Sequence, residues 1–224
     1  MNRLLYFIFL FVLMVSQGCE SEWGFDAPGC MDMDAENYDE NATSDNGSCS
    51  YLPDVFTVDA SSYDEWVYFS LSLGEVVDIE DSENSLSWDI AFKRNHIKTN
   101  SGESGFGNVC AIVDEAESWT SSTFESINQV STNDCEVDTM IDGNILTYQG
   151  CYNPLTHLFS DCIKNPALDK WGTFDDSYTF NVNNYHFFIK DLNDSYYKFW
   201  GMSYYDANGE SGHITFAYDL IFSN

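Results

Sequence analysis

The chain has 224 residues, with 37 Asp and Glu against 8 Lys and Arg, for a net charge of −29. A field of that sign repels phosphate backbones and argues against nucleic acid as a partner. It argues equally against docking on an anionic lipid surface through a basic patch.

Residues 1–18 read as a signal peptide. Arg3 and the amino terminus supply the positive charge, Leu4 to Val15 form an unbroken apolar run, and Ser16-Gln17-Gly18 close it. The run is too short to span a bilayer as a stable helix, which needs about 20 apolar residues. Cys19 follows Gly18 directly and resembles the modified cysteine of a bacterial lipobox, whose thiol takes a diacylglycerol; Ser16 stands where Leu is usual. The alternative is ordinary cleavage after Gly18, leaving Cys19 as a thiol. A bare exposed thiol is a liability in an exported chain, which favours lipidation. Setting Cys19 aside leaves an even set: Cys30, Cys49, Cys110, Cys135, Cys151 and Cys162. In an oxidising compartment such a set reads as disulfides, and no C-x-x-C pair suggests structural zinc. Local spacing favours Cys30–Cys49, Cys110–Cys135 and Cys151–Cys162, out of roughly fifteen possible pairing schemes.

Residues 19–29 form a short acidic tether, and residues 30–50 a separate module. Its Asp32, Asp34, Asn37, Asp39, Asn41 and Asp45 are closely spaced oxygen donors of the kind calcium takes, although no EF-hand glycine or terminal glutamate accompanies them. The other reading is an acidic linker with one disulfide. Either way the module has too few apolar residues for a core and needs a cross-link or an ion to hold it.

Residues 55–224 are long enough for a real core. Apolar residues alternate at period two: Tyr185, Phe187 and Ile189 share one face, and Ile214, Phe216, Tyr218 and Leu220 share another. This predicts half-buried antiparallel strands at Val55–Asp59, Trp66–Leu73, Glu75–Ile79, Trp88–Arg94, Asn108–Val113, Ile145–Gln149, Tyr178–Val182, Tyr185–Lys190, Tyr196–Tyr205 and His213–Phe222. Asp142-Gly143, Asn183-Asn184 and Asn208-Gly209 mark turns. One short helix is predicted over Thr120–Gln129. With no βαβ rhythm, the domain is expected to be mostly β.

No nucleophile elbow and no H-E-x-x-H occurs, so an enzyme is not expected. Gly102, Gly105 and Gly107 could suggest a phosphate cradle. A β-like run follows them rather than a helix, and Glu103 is acidic, so a tight loop is the better reading.

The stretch from Trp66 to Gly107 carries a W-x-Y-F-S strand, G-E-V-V, an acidic turn before W-D-I-A-F, and N-S-G-E-S-G-F-G. Together these resemble the opening of the HmuY-like family of haem-binding lipoproteins of Bacteroidota. The resemblance is strong to Gly107, moderate from Trp171 onwards, and poor from Asp114 to Lys170. Glu20 and Glu22 weakly resemble a surface-export signal of such lipoproteins. The resemblance implies an all-β domain that captures haem or a related tetrapyrrole for a TonB-dependent outer-membrane transporter, with lipid as the only membrane attachment.

In that family two axial ligands come from loops, and alignment sets these positions against Asn144 and against Asp175 or Asp176. Neither type is a good haem-iron ligand. The candidates that remain are His157, in C-Y-N-P-L-T-H-L-F-S-D-C, then Met140, His96 and His186. His157 ranks first because loops commonly project ligand-binding side chains; its other reading is a solvated loop histidine. His213 opposes an apolar face and is expected at the surface. Lys93, Arg94 and Lys98 are candidates to pair with haem propionates, or else are ordinary charges in an acidic protein. The rival class is a non-haem surface-interaction or structural β protein.

Overall fold

In the computed structural model the described residues are 26–51, 53–131, 133–144, 146, 150–154 and 156–222. Cys19 and the signal segment lie outside them, as do most of the predicted strand at Ile145–Gln149. Two compact units divide between Cys49 and Ser50.

In the first unit, β1 (Pro28–Gly29) pairs in parallel with β2 (Ser44–Asp45), and Cys30 is bonded to Cys49. Three of the oxygen donors expected to converge on calcium close local turns. Asp32, Asp39 and Asp45 each accept from the backbone N–H two residues on, at Asp34, Asn41 and Gly47, and Asn37 Nδ2 donates to Ser48 O. Short polar side chains favour such turns because they satisfy backbone donors locally. Among the described residues no group of three or more His, Cys, Asp or Glu could hold a metal ion.

The second unit is mostly β. Its strands are β3 (Val55–Asp59), β4 (Val67–Ser70), β5 (Glu75–Val77), β6 (Ile90–Lys93), β7 (His96–Thr99) and β8 (Cys110–Ser118). Then come β9 (Thr139–Ile141), β10 (Cys151–Asn153), β11 (Leu158–Ser160), β12 (Cys162–Lys164), β13 (Gly172–Phe174), β14 (Phe180–Val182), β15 (Tyr185–Lys190), β16 (Tyr196–Tyr205) and β17 (Ser211–Phe222). A five-stranded sheet runs β3-β17-β16-β15-β8, and a four-stranded sheet runs β5-β4-β6-β7. All pairings within these two sheets are antiparallel.

The two sheets close on one core. Phe69 and Phe92 of the smaller sheet meet Phe216 of the larger one, with ring centroids 5.3 and 5.1 Å apart. Phe187, Ile189 and Ile214 lie in this core, as their period-two spacing predicts. The far face of the larger sheet is apolar as well. There Ile112, Trp119 and Phe188 are covered by α1 (Ser121–Ser126), which buries Phe124. The helix is shorter than predicted. Thr120 caps its start, and Ile127 has extended backbone that stops it. The strand predicted at Asn108–Val113 begins later and runs on to Ser118.

The glycine-rich loop after β7 is a packing device. Asn100 Nδ2 donates to Ser85 O and Trp88 O, and its Oδ1 accepts from Gly107 N. Gly102 adopts φ +55 with its Cα against Asp138 O, where a Cβ would sit at 2.2 Å. Asp138, buried, accepts from Thr99 N, Thr99 Oγ1 and Asn165 Nδ2, which ties the segment before β9 to the edge of β7. Cys110–Cys135 and Cys151–Cys162 are bonded on either side of it.

Candidate functional site

Two antiparallel pairs lie within residues 139–164: β9 pairs with β12, and β10 pairs with β11. His157 stands at the tip of the β10–β11 hairpin, exposed and at φ +54. Its Nδ1 lies 2.7 Å from Tyr152 Oη. If Nδ1 carries the proton and donates to the phenol, Nε2 presents a lone pair outward. A ring fixed through its other nitrogen is the usual arrangement of a metal-binding histidine. Tyr152 was not singled out in the sequence. Met140 lies on β9, opposite Ile163, and is 46% exposed.

The two positions aligned with family ligands are committed elsewhere. Asn144 Oδ1 accepts from Leu146 N. Asp175 accepts from Ser177 N, Thr179 N and Asn181 Nδ2, and these bonds hold its carboxyl below the usual range. Asp176 is exposed beside it.

His96 and His186 are interior. His96 lies on β7, where burial pushes its pKa down although Asp169 Oδ1 is 3.7 Å from Nδ1. Asp169 is itself paired with Lys164 Nζ at 2.7 Å. His186 is stacked on Trp119, ring centroids 3.8 Å apart, beneath α1. Its Nε2 is buried with no hydrogen-bond partner. An open cleft of ≈ 300 Å³ lies there, lined by Asp114, Ile127, Val130, Ser131, His186 and Phe188 among others. His213 is part-exposed, 3.6 Å from Asp59.

The basic cluster separates into two arrangements. Arg94, at φ +52 in the turn between β6 and β7, donates to Ser61 O, Ser211 O and Ser211 Oγ, and its guanidinium covers the Tyr63 ring at 4.3 Å. It clasps the chain ends of other strands rather than reaching outward. Lys93 and Lys98 lie on the outer face of the smaller sheet. Lys93 Nζ is 4.9 Å and Lys98 Nζ 4.7 Å from the centroid of the Trp66 ring. Lys98 also sits over Tyr68 and Trp88 and is only 7% exposed. The register explains the cage, because Tyr68 pairs with Ala91 and Ala91 with Lys98 across three strands. Burial pushes the Lys98 amine down to about 8, against an opposing pull from Asp138. Trp66 directly precedes β4 and Tyr68 lies on it, yet nothing in the sequence announced that both amines would meet Trp66 and that Lys98 would also meet Tyr68.

The family model for HmuY protein matches residues 62–218. Among solved structures, the chain is similar to the apo HmuY analogue of Tannerella forsythia, with 18% identity and a TM-score of 0.57 over 75% of this chain and 95% of that one. It is also similar to a Bacteroides vulgatus protein described as HmuY-like and heme-binding, with 20% identity and a TM-score of 0.57 over 76% and 92%. Apo PinO of Porphyromonas gingivitis aligns at 17% identity and a TM-score of 0.56 over 78% and 100%. No curated protein sequence matches the chain.

Proposed function

We infer that this chain, which belongs to the HmuY family, is an exported carrier that captures haem or a related tetrapyrrole and passes it to a TonB-dependent outer-membrane transporter. Cys19 holds it to the outer membrane through lipid, on the cell surface. It makes and breaks no covalent bond, so it is not an enzyme. The observation that carries this reading is the Tyr152–His157 pair at the tip of an exposed hairpin. A histidine oriented through Nδ1 is preset to bind haem iron through Nε2. Met140, on β9, is the candidate for the second axial position.

The test is a haemin titration of the whole chain, with absorbance recorded in both redox states. Saturable binding with a sharp Soret band and low-spin features, lost in His157→Ala, supports the reading. A non-saturating response, or an unchanged spectrum in His157→Ala, overturns it.

A second reading is favoured by Asn144 and Asp175, whose side chains serve their own turns at the aligned ligand positions. In that reading the same β scaffold is a surface-interaction protein without haem, and the disulfide-closed N-terminal unit is a spacer.

A further inference from the structure

The chain carries 37 acids, yet its buried amine Lys98 has no carboxylate partner. Asp138 and Glu83 act on it only through space, and Asp64 acts likewise on Lys93. Among the described residues neither amine makes an ion pair or a side-chain hydrogen bond, and the indole N–H of Trp66 also has no acceptor. Withdrawing most of an ammonium from water, as burial of Lys98 does, is costly unless the group is paired. The three aromatic faces around Lys98 offset part of that cost, since a cation over an aromatic ring gains about 0.5–2 kcal/mol. They do not supply what an ammonium seeks first, an oxygen acceptor. A second ammonium, Lys93, faces the same ring, so two cationic donors stand within reach of one ligand edge.

We propose that Lys93 and Lys98, which both approach the Trp66 ring, form a subsite for the carboxylate groups of a planar ligand, with the indole N–H as a further donor. The carboxylate chemistry stands without iron; only its assignment to porphyrin propionates rests on the haem reading above. Ammonium–carboxylate hydrogen bonds supply the affinity, and the aromatic wall excludes small, strongly hydrated anions.

The experiment uses the iron-free acid protoporphyrin IX and its dimethyl ester, which lacks the carboxylates, with quenching of tryptophan fluorescence as the readout. The whole chain is expected to bind the acid at least about tenfold more tightly than the ester. Lys98→Met and Lys93→Met should each remove about that factor for the acid and leave the ester unchanged. Lys93 is half-exposed, so its variant keeps the test valid should Lys98→Met fail to fold. Equal binding of acid and ester, or an acid affinity indifferent to Lys93→Met, would overturn the subsite and mark the cage as a structural cation–π contact. Haemin spectra in His157→Ala separate the two readings. Loss of the Soret band there with acid selectivity intact supports both. A Soret band unchanged by His157→Ala, with Lys-dependent acid binding, sinks the iron assignment and keeps the subsite. Glutarate gives the last comparison: the proposal expects it to bind far more weakly than the porphyrin acid, and Lys-dependent glutarate binding equal to that of the porphyrin acid would overturn the planar-ligand subsite.

Discussion

Tyr152 Oη and His157 Nδ1 meet at 2.7 Å across the tip of the β10–β11 hairpin, although the two residues are not register partners. His157 sits at positive φ, and its ring reaches Tyr152 of β10. Both residues are exposed, so the bond does little for stability; its consequence is the orientation of one ring nitrogen. Tyr152→Phe should leave the thermal midpoint within about 2 °C. It should weaken haemin binding by about tenfold, the lower end of what loss of a ligand-orienting partner costs. Titration of the variant decides it, and undiminished affinity would mean that Tyr152 plays no part.

Lys98 makes a signed prediction about pH. Its amine sits near 8 in the folded protein against 10.5 as the ordinary value. Between those values the unfolded chain binds a proton that the folded chain does not, so stability rises with pH across that window. Below pH 8 both states are protonated and the folded state bears the full penalty, on the order of 3 kcal/mol. Urea midpoints of wild type and Lys98→Met, compared from pH 7 to pH 10, should therefore converge as pH rises. Tyr197 and Tyr204 are pushed up to about 12 by burial and act only above that range. A constant difference across pH 7–10 would show that Lys98 is charged and well solvated in the fold.

Arg94 was grouped by sequence with Lys93 and Lys98, and its environment predicts different behaviour. Its three hydrogen bonds join the β6–β7 turn to Ser61 and to Ser211 at the start of β17. Arg94→Met leaves Ser61 O and Ser211 O without their donor and should destabilise the domain by about 2–4 kcal/mol. Once folded at low temperature, the variant should retain wild-type selectivity for protoporphyrin acid over ester. A drop in that selectivity with unchanged stability would place Arg94 with the ligand after all.

Legibility in the sequence followed the range of the interactions. The alternation in Tyr185–Lys190 and Ile214–Leu220 is local, and both segments form strands whose core faces follow the reading except at Leu220, which is 46% exposed near the end of β17. The cysteine pairs are short-range and form as spacing favoured. β7 escaped because all four of its residues are buried, so no alternation marks it. It is covered by distant groups: Asn165 N donates to Ile97 O, and Trp171 Nε1 to Asn95 O just before the strand. The three-residue strands β9 to β12 are too short to show a period, and disulfides and backbone pairing hold them instead. At the candidate site His157 was legible from its loop. Tyr152, Trp66 and Tyr68 were not, since each depends on a hairpin geometry or a three-strand register that spacing alone does not reveal.

Gly102 gives the last test, because it separates a loop built for packing from one built for ligand. Its φ of +55 suits a residue without a Cβ, and an added Cβ would fall 2.2 Å from Asp138 O. Neither the backbone strain nor the clash can be relieved by a flexible side chain, since the opposing atom belongs to the main chain that Thr99 and Asn165 hold in place. Gly102→Ala should therefore cost about 2–3 kcal/mol, the sum of an unfavourable left-handed conformation and a displaced Asp138 segment. The loss should appear in the unfolding midpoint. Glu103→Gln, next to it and exposed, should change neither stability nor ligand affinity. If Gly102→Ala were neutral in stability but abolished ligand binding, the N-S-G-E-S-G-F-G loop would be part of the site rather than the clamp that holds β7 against the segment before β9.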